Sequence, residues 1–142
     1  MTASEDDRLR RILMSTRSIA MVGASGNPRR PSHGVLRFLL ASGYAVTAVS
    51  PALEPGALGP VPLAARLADL PGPVDMIDVF RNSAAIAGLV DEIMALPWRP
   101  KTLWMQLGVV DEAAAARAGA AGIAVVVDRC PAIEHPRLLG GA

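Results

Sequence analysis

Five short aliphatic runs punctuate the chain: Ser18 to Val22, Ala45 to Val49, Val74 to Val79, Thr102 to Met105 and Ile123 to Val127. None alternates strictly with polar residues. Apolar runs of this length suit strands covered on both faces, as in a parallel sheet. The last run is the clearest, being continuous and rich in β-branched residues.

Helical patterns fill the intervals. Ser32 to Ser42 sets Val35, Leu36, Leu39 and Leu40 on one side, with Gly43 as a C-terminal stop. Asn82 or Ser83 is placed to cap a helix with the stripe Ile86, Leu89, Val90, Ile93 and Met94. Asp111 opens an alanine-rich helix that closes near Gly119 to Gly122. A first helix is expected from the Ser-x-x-Asp start at Ser4, with Leu9, Ile12 and Leu13 facing inward. The Pro- and Gly-rich stretch from Pro51 to Pro73 reads as a long loop, with room for one short helix over Leu63 to Leu70.

Strands alternating with helices predict an α/β fold: a Rossmann-like, doubly wound parallel sheet of five strands with helices on both faces. One domain is expected over residues 1–142, with an N-terminal helix in 1–17, a core over 18–130 and a C-terminal tail over 131–142. A chain of 142 residues is ample for one core. With 51% hydrophobic but only 4% aromatic residues, that core must be mainly aliphatic.

Charge narrows the function classes. A formal net charge of +1 provides no electrostatic footprint for nucleic acid or an anionic membrane surface. Met1 to Asp7 is polar and acidic, unlike a signal peptide. No apolar stretch approaches the about 20 residues of a spanning helix. One cysteine, Cys130, excludes an intrachain disulfide and cannot alone build a zinc site, so a reduced, cytoplasmic setting is expected. No cluster resembles a metal site and no carboxylate pair suggests acid–base catalysis.

In an open parallel sheet, ligands collect outside the carboxyl ends of the strands. The first such loop reads M-V-G-A-S-G-N-P-R-R-P-S-H-G from Met21 to Gly34. Gly23 permits a tight turn, and Ser25 with the free amides opening the next helix can donate to a pyrophosphate. Arg29 and Arg30 add positive charge there, and His33 lies near. The dinucleotide fingerprint G-x-G-x-x-G is absent, because Ser25 takes the second glycine's place, and no G-K-[ST] follows as in a P-loop. The second strand ends Ser50-Pro51, where an NAD-binding chain carries an acidic residue for the ribose. That absence disfavours a free 2′,3′-diol and leaves open a ribose phosphate, as in coenzyme A or NADP.

Phe80 offers a flat apolar wall after the third strand, and Arg81 a phosphate contact or a surface ion pair. Gln106 and Gly108 follow the fourth strand, with glycine allowing close backbone approach. Cys130 lies past the fifth, beside Arg129 and ahead of His135; a nearby guanidinium can activate a thiol, and a Cys–His pair is one route to nucleophilic catalysis. A lone cysteine also serves as a small apolar residue.

Together these segments resemble the family of small, free-standing coenzyme A-binding proteins, which are similar to the nucleotide-binding domain of the succinyl-CoA synthetase α subunit. The matching pieces are V-G-A-S-x-x-P-x-R-x-S (Val22 to Ser32), G-Y-x-V-x-x-V-x-P (Gly43 to Pro51), V-D-x-x-D-V-F-R (Val74 to Arg81), W-M-Q-x-G-V (Trp104 to Val109) and A-G-I-x-V-V-V-D-R-C (Ala121 to Cys130). The resemblance implies coenzyme A bound across the sheet edge by Gly23, Ala24, Ser25, Arg30, Ser32, Ser50, Pro51, Phe80, Arg81, Gln106, Gly108 and Cys130. Ser50 departs from the family, which often has Asn there.

A binding module without catalytic residues of its own is the expected function. The alternatives are an accessory subunit of an acyl-CoA synthetase, an NAD(P)-binding oxidoreductase-type domain, and a thiol sensor in which Cys130 pairs with the cofactor's thiol. Each leaves room for a homo-oligomer.

Overall fold

The computed structural model of this chain describes residues 2–140. Met1 and the last two residues of the expected tail lie outside them. The sheet is built from β1 (Ser18–Val22), β2 (Ala45–Val49), β3 (Leu63–Ala64), β4 (Met76–Val79), β5 (Thr102–Met105) and β6 (Ala124–Val126). Its helices are α1 (Thr2–Ser15), α2 (Pro31–Ala41), α3 (Ile86–Ala95), α4 (Glu112–Ala120) and α5 (Pro131–Leu139). All strand pairs are parallel and their order is β3-β2-β1-β4-β5-β6. Strand order reverses between β1 and β4, which makes that gap the switch point of a Rossmann-like sheet.

Alternation of side chains sorts the strands into two cores. Ala20, Val22, Val49, Ile77, Val79, Leu103 and Met105 face α3 and α4. Ile19, Met21, Val46, Ala48, Met76, Trp104 and Val126 face α1, α2 and α5. Both faces are thereby covered, which explains why the strands read as mainly apolar runs without strict alternation.

The sheet has six strands where the pattern predicts five. The sixth, β3, is a two-residue edge strand in which Leu63 and Ala64 pair with Ala48 and Val49. It sits where a short helix is expected; only a 3₁₀ turn at Leu67–Asp69 remains of that helix. Residues 131–139, expected as tail, form α5. Pro131 at its first turn suits a helix start, and Pro136 is accommodated within it. Arg137 ties α5 to α1 by bonding Asp6 at 2.8 Å and Glu134 at 2.7 Å.

Helix ends follow local chemistry in part. Gly43, at φ 96°, ends α2 with Tyr44 N–H donating to Leu39 O and Gly43 N–H to Leu40 O, a Schellman closure. Asp111 caps α4 by accepting the Ala114 N–H at 3.0 Å. The first helix begins at Thr2, ahead of Ser4. Neither Asn82 nor Ser83 caps α3 with its side chain, and a 3₁₀ turn at Ser83–Ala85 precedes that helix instead.

Candidate functional site

The β1–α2 loop is drawn tightly over the end of β4. Gly23 N–H donates to Val49 O, and Phe80 N–H to Val22 O. Gly23 sits at φ 85°, and a Cβ there would lie 2.4 Å from the Phe80 carbonyl oxygen. Only glycine fits, so the turn's shape is set by this residue. Ala24, buried, seats the loop against Val35 and Leu36 in the core under α2.

Beyond it, two side-chain turns stiffen the loop. Ser25 Oγ accepts from the Asn27 N–H at 3.0 Å, and Asn27 Oδ1 accepts from the Arg29 N–H at 3.0 Å. The Ser25 hydroxyl proton remains available to a ligand. Of the amides expected to open α2, Pro31 has none, and those of Arg30 and His33 are spent on Asn27 O and Arg30 O. Ser32 keeps its N–H free, and its side chain is buried at the cavity wall. At this loop the Arg30 guanidinium, the Ser25 hydroxyl and the unspent amides of Ala24, Ser25 and Ser32 are the donors that line the cavity. Arg29, Arg30 and Arg81 are exposed and carry no carboxylate partner among the described residues.

The loops after β5 and β6 are tied to each other. Asp128, in the left-handed region at φ 60°, accepts the Gly108 N–H at 2.7 Å. Ser83 donates to Gly108 O and accepts the Val110 N–H at 2.9 Å, which binds the start of α3 to the same loop. The buried indole of Trp104 donates to Arg129 O at 2.8 Å and fixes the turn that carries Cys130.

These loops enclose a cavity of about 670 Å³, within the range of small-molecule sites. Gly23, Ala24, Ser25, Arg30, Ser32, Phe80, Arg81, Gln106, Gly108 and Cys130 line it, with Pro31, Val35, Ala52, Asn82, Leu107 and Val109. Ser50 and Pro51 lie elsewhere. They border an adjoining groove of about 560 Å³ beside Arg66 and Leu67, and Arg81 lines both spaces. Ser50 Oγ is engaged by the Ala52 N–H at 3.2 Å, an ordinary turn bond after the strand.

Cys130 is free and buried at the cavity wall. The side chains thought able to act on it are otherwise occupied. The Arg129 guanidinium bonds Glu134 Oε1 at 3.3 Å. The His135 ring packs edge-on against Phe38 and Tyr44, with centroids 5.5 and 5.9 Å away. That arrangement supplies no nucleophile–base pair.

Asp78 was not expected as special. It is fully buried on β4, in register with Met21 and Trp104, and neither carboxyl oxygen has a partner among the described residues. Burial pushes its pKa well above the usual aspartate value, and the Val79 amide, outside hydrogen-bonding geometry, offsets only part of this. Burial thereby favours the neutral form of the carboxyl. Gln106, which lines the cavity, likewise has its Oε1 buried without a partner among the described residues.

Known proteins resemble this chain in sequence and in fold over most of its length. Residues 17–136 match a family model described as a CoA binding domain. A Bacillus subtilis (strain 168) protein called uncharacterized protein YneT is 32% identical over 127 residues, 89% of this chain and 91% of that one. The solved structure of cell-free ID.343 from Thermus thermophilus superposes with a TM-score of 0.87 at 40% identity, covering 94% of this chain and 98% of that one. A hypothetical protein from Pyrococcus horikoshii OT3 gives a TM-score of 0.87 at 32% identity, covering 95% and 92%.

Proposed function

The chain belongs to the CoA binding domain family, and from that premise we propose that it binds coenzyme A or an acyl-CoA by its nucleotide and pyrophosphate at the carboxyl edge of the sheet, without catalysis of its own. The observation that carries this reading is convergence. Glycine turn, serine hydroxyl, unpaired arginines and flat phenyl wall come from different strand ends and meet in one cavity at the switch point. Arg30 and Ser25 are placed to receive the pyrophosphate, and Phe80 to cover the ligand.

A ribose phosphate suits the end of β2 better than a free diol does. Ser50 and Pro51 bring no carboxylate to the strand end itself; Arg66 and Arg81 border the adjoining groove, as does Glu92 of α3. An NAD-type site would need an acid at this place. Binding without turnover agrees with the spent Arg129 and His135. Calorimetric titration with coenzyme A, dephospho-coenzyme A, NAD and NADP tests the reading. Coenzyme A is expected to bind most tightly, and loss of its 3′-phosphate to weaken it; tight NADP binding without coenzyme A binding refutes it.

A further inference from the structure

The cavity is not uniform along the sheet edge. Cations gather on its β1 and β4 side, where Arg29, Arg30 and Arg81 stand exposed. On the β5 and β6 side no arginine or lysine among the described residues lines it, and the Asp128 carboxylate is engaged by the Gly108 N–H. There the surface turns apolar instead. Leu107 is 56% exposed, Val110 42% and Ile133 51%, three of the five large apolar side chains left exposed among the described residues. All three lie on the two segments that follow β5 and β6, and Leu107 itself lines the cavity. Of the three, Leu107 is at the cavity itself, beside Val109, and Val110 follows on the same loop; an exposed apolar side chain at a ligand cavity is available to cover an apolar group.

Between the two halves sits Gln106, 5% exposed, with its carboxamide oxygen buried and unpartnered. A buried acceptor needs a donor. Coenzyme A has amide N–H groups midway between its phosphates and its sulfur. With phosphates at the arginines and the amide arm passing Gln106, the sulfur end points toward Leu107.

We propose that the loop after β5 is an acyl subsite: Leu107 at the cavity, with Val110 exposed on the same loop, holds the hydrocarbon of an acyl thioester, and the chain prefers acyl-CoA with an aliphatic acyl group to free coenzyme A. The inference rests on the coenzyme A reading above and names its ligand class. Burying one methylene fully is worth up to about fourfold in affinity, and resting it against one wall about twofold.

The test is calorimetric titration of the full chain with free coenzyme A, acetyl-CoA, butyryl-CoA and hexanoyl-CoA, repeated on a Leu107→Ser/Val110→Ser double variant. Both side chains are exposed, so the core is untouched, and circular dichroism verifies folding. Affinity should climb along the series, by about tenfold or more from acetyl-CoA to hexanoyl-CoA, and the climb should flatten in the variant. Ile133→Ser, made separately, should reduce it in part. A flat series in the unmodified chain overturns the acyl subsite while leaving coenzyme A binding intact. An equal climb in the double variant overturns it too. So does loss of self-association in the variant with the series unchanged, which would assign the patch to a second copy of the chain. If neither free coenzyme A nor any thioester binds, the coenzyme A reading itself fails.

Discussion

Replacing Asp78 by asparagine should change how stability depends on pH. The carboxyl is fully buried between Met21 and Trp104 with both oxygens unpartnered. Burial raises its pKa in the folded chain well above the unfolded value near 3.8. Across the window between these two values, the folded state keeps a proton that the unfolded state has released. The Asp78 contribution is therefore full below about pH 4 and falls as pH rises, with a limiting slope of about 1.4 kcal/mol per pH unit, until the folded-state pKa is passed. Asparagine keeps the shape but does not titrate. Its own unpartnered amide adds a constant offset, so the slope of the difference is what carries information.

Other carboxylates titrate in the opposite sense. Hydrogen bonds from Arg8 and Arg137 hold Glu5 and Asp6 below their usual range. Asp75 is held low as well, its burial being outweighed by the Arg17 and Ser18 amides and by Lys101. Their stabilisation is lost as pH falls, equally in both proteins, and cancels in the difference. Urea unfolding followed by tryptophan fluorescence at half-unit steps from pH 4 to 8 gives the two curves. Asp78→Asn should gain on the parent as pH rises from about 4, the slope approaching about 1.4 kcal/mol per pH unit about one unit above the unfolded value. Parallel curves, or a parent that gains with rising pH, would refute the neutral buried acid.

Gly23→Ala should cost more than about 2 kcal/mol of stability, because the left-handed conformation and a Cβ 2.4 Å from the Phe80 carbonyl act together; a denaturation midpoint unchanged from the parent would contradict it. Asp128→Ala should cost roughly 1–3 kcal/mol through loss of the Gly108 bond and strain at φ 60°, whereas Asp128→Asn should lose much less by the same assay. Arg30→Ala should weaken coenzyme A binding by roughly 1–3 kcal/mol, the scale of a lost charged hydrogen bond, with no change in unfolding; unaltered affinity by calorimetry would remove Arg30 from the site.

The strands were legible because a sheet buried on both faces leaves mainly apolar runs without strict alternation, and β1, β2 and β5 fall where Ser18, Ala45 and Thr102 begin theirs. The edge strand β3 was not, since two residues in a Pro- and Gly-rich stretch carry no period and pair only because Ala48 and Val49 offer a free edge. Helix α5 was hidden by Pro131 and Pro136, which read as breaks although the first favours a helix start. Ser83 looked like a cap, but its hydroxyl is drawn to Gly108 and Val110, 25 and 27 residues away.

At the site, residues directly after strands were legible, because the sheet itself brings Gly23, Phe80, Gln106 and Cys130 to one edge. Ser50 and Pro51 turn instead into the neighbouring groove. The orphaned state of Asp78 depends on strand register and helix cover together, and the Asp128 bond on a left-handed residue. Neither leaves a mark in a linear pattern.

The most direct measurement is calorimetric titration of the full chain with coenzyme A alongside dephospho-coenzyme A, NAD and NADP. Saturable binding of coenzyme A, weakened without the 3′-phosphate and absent with NAD, is the expected result. No binding of coenzyme A together with tight binding of NADP would contradict it.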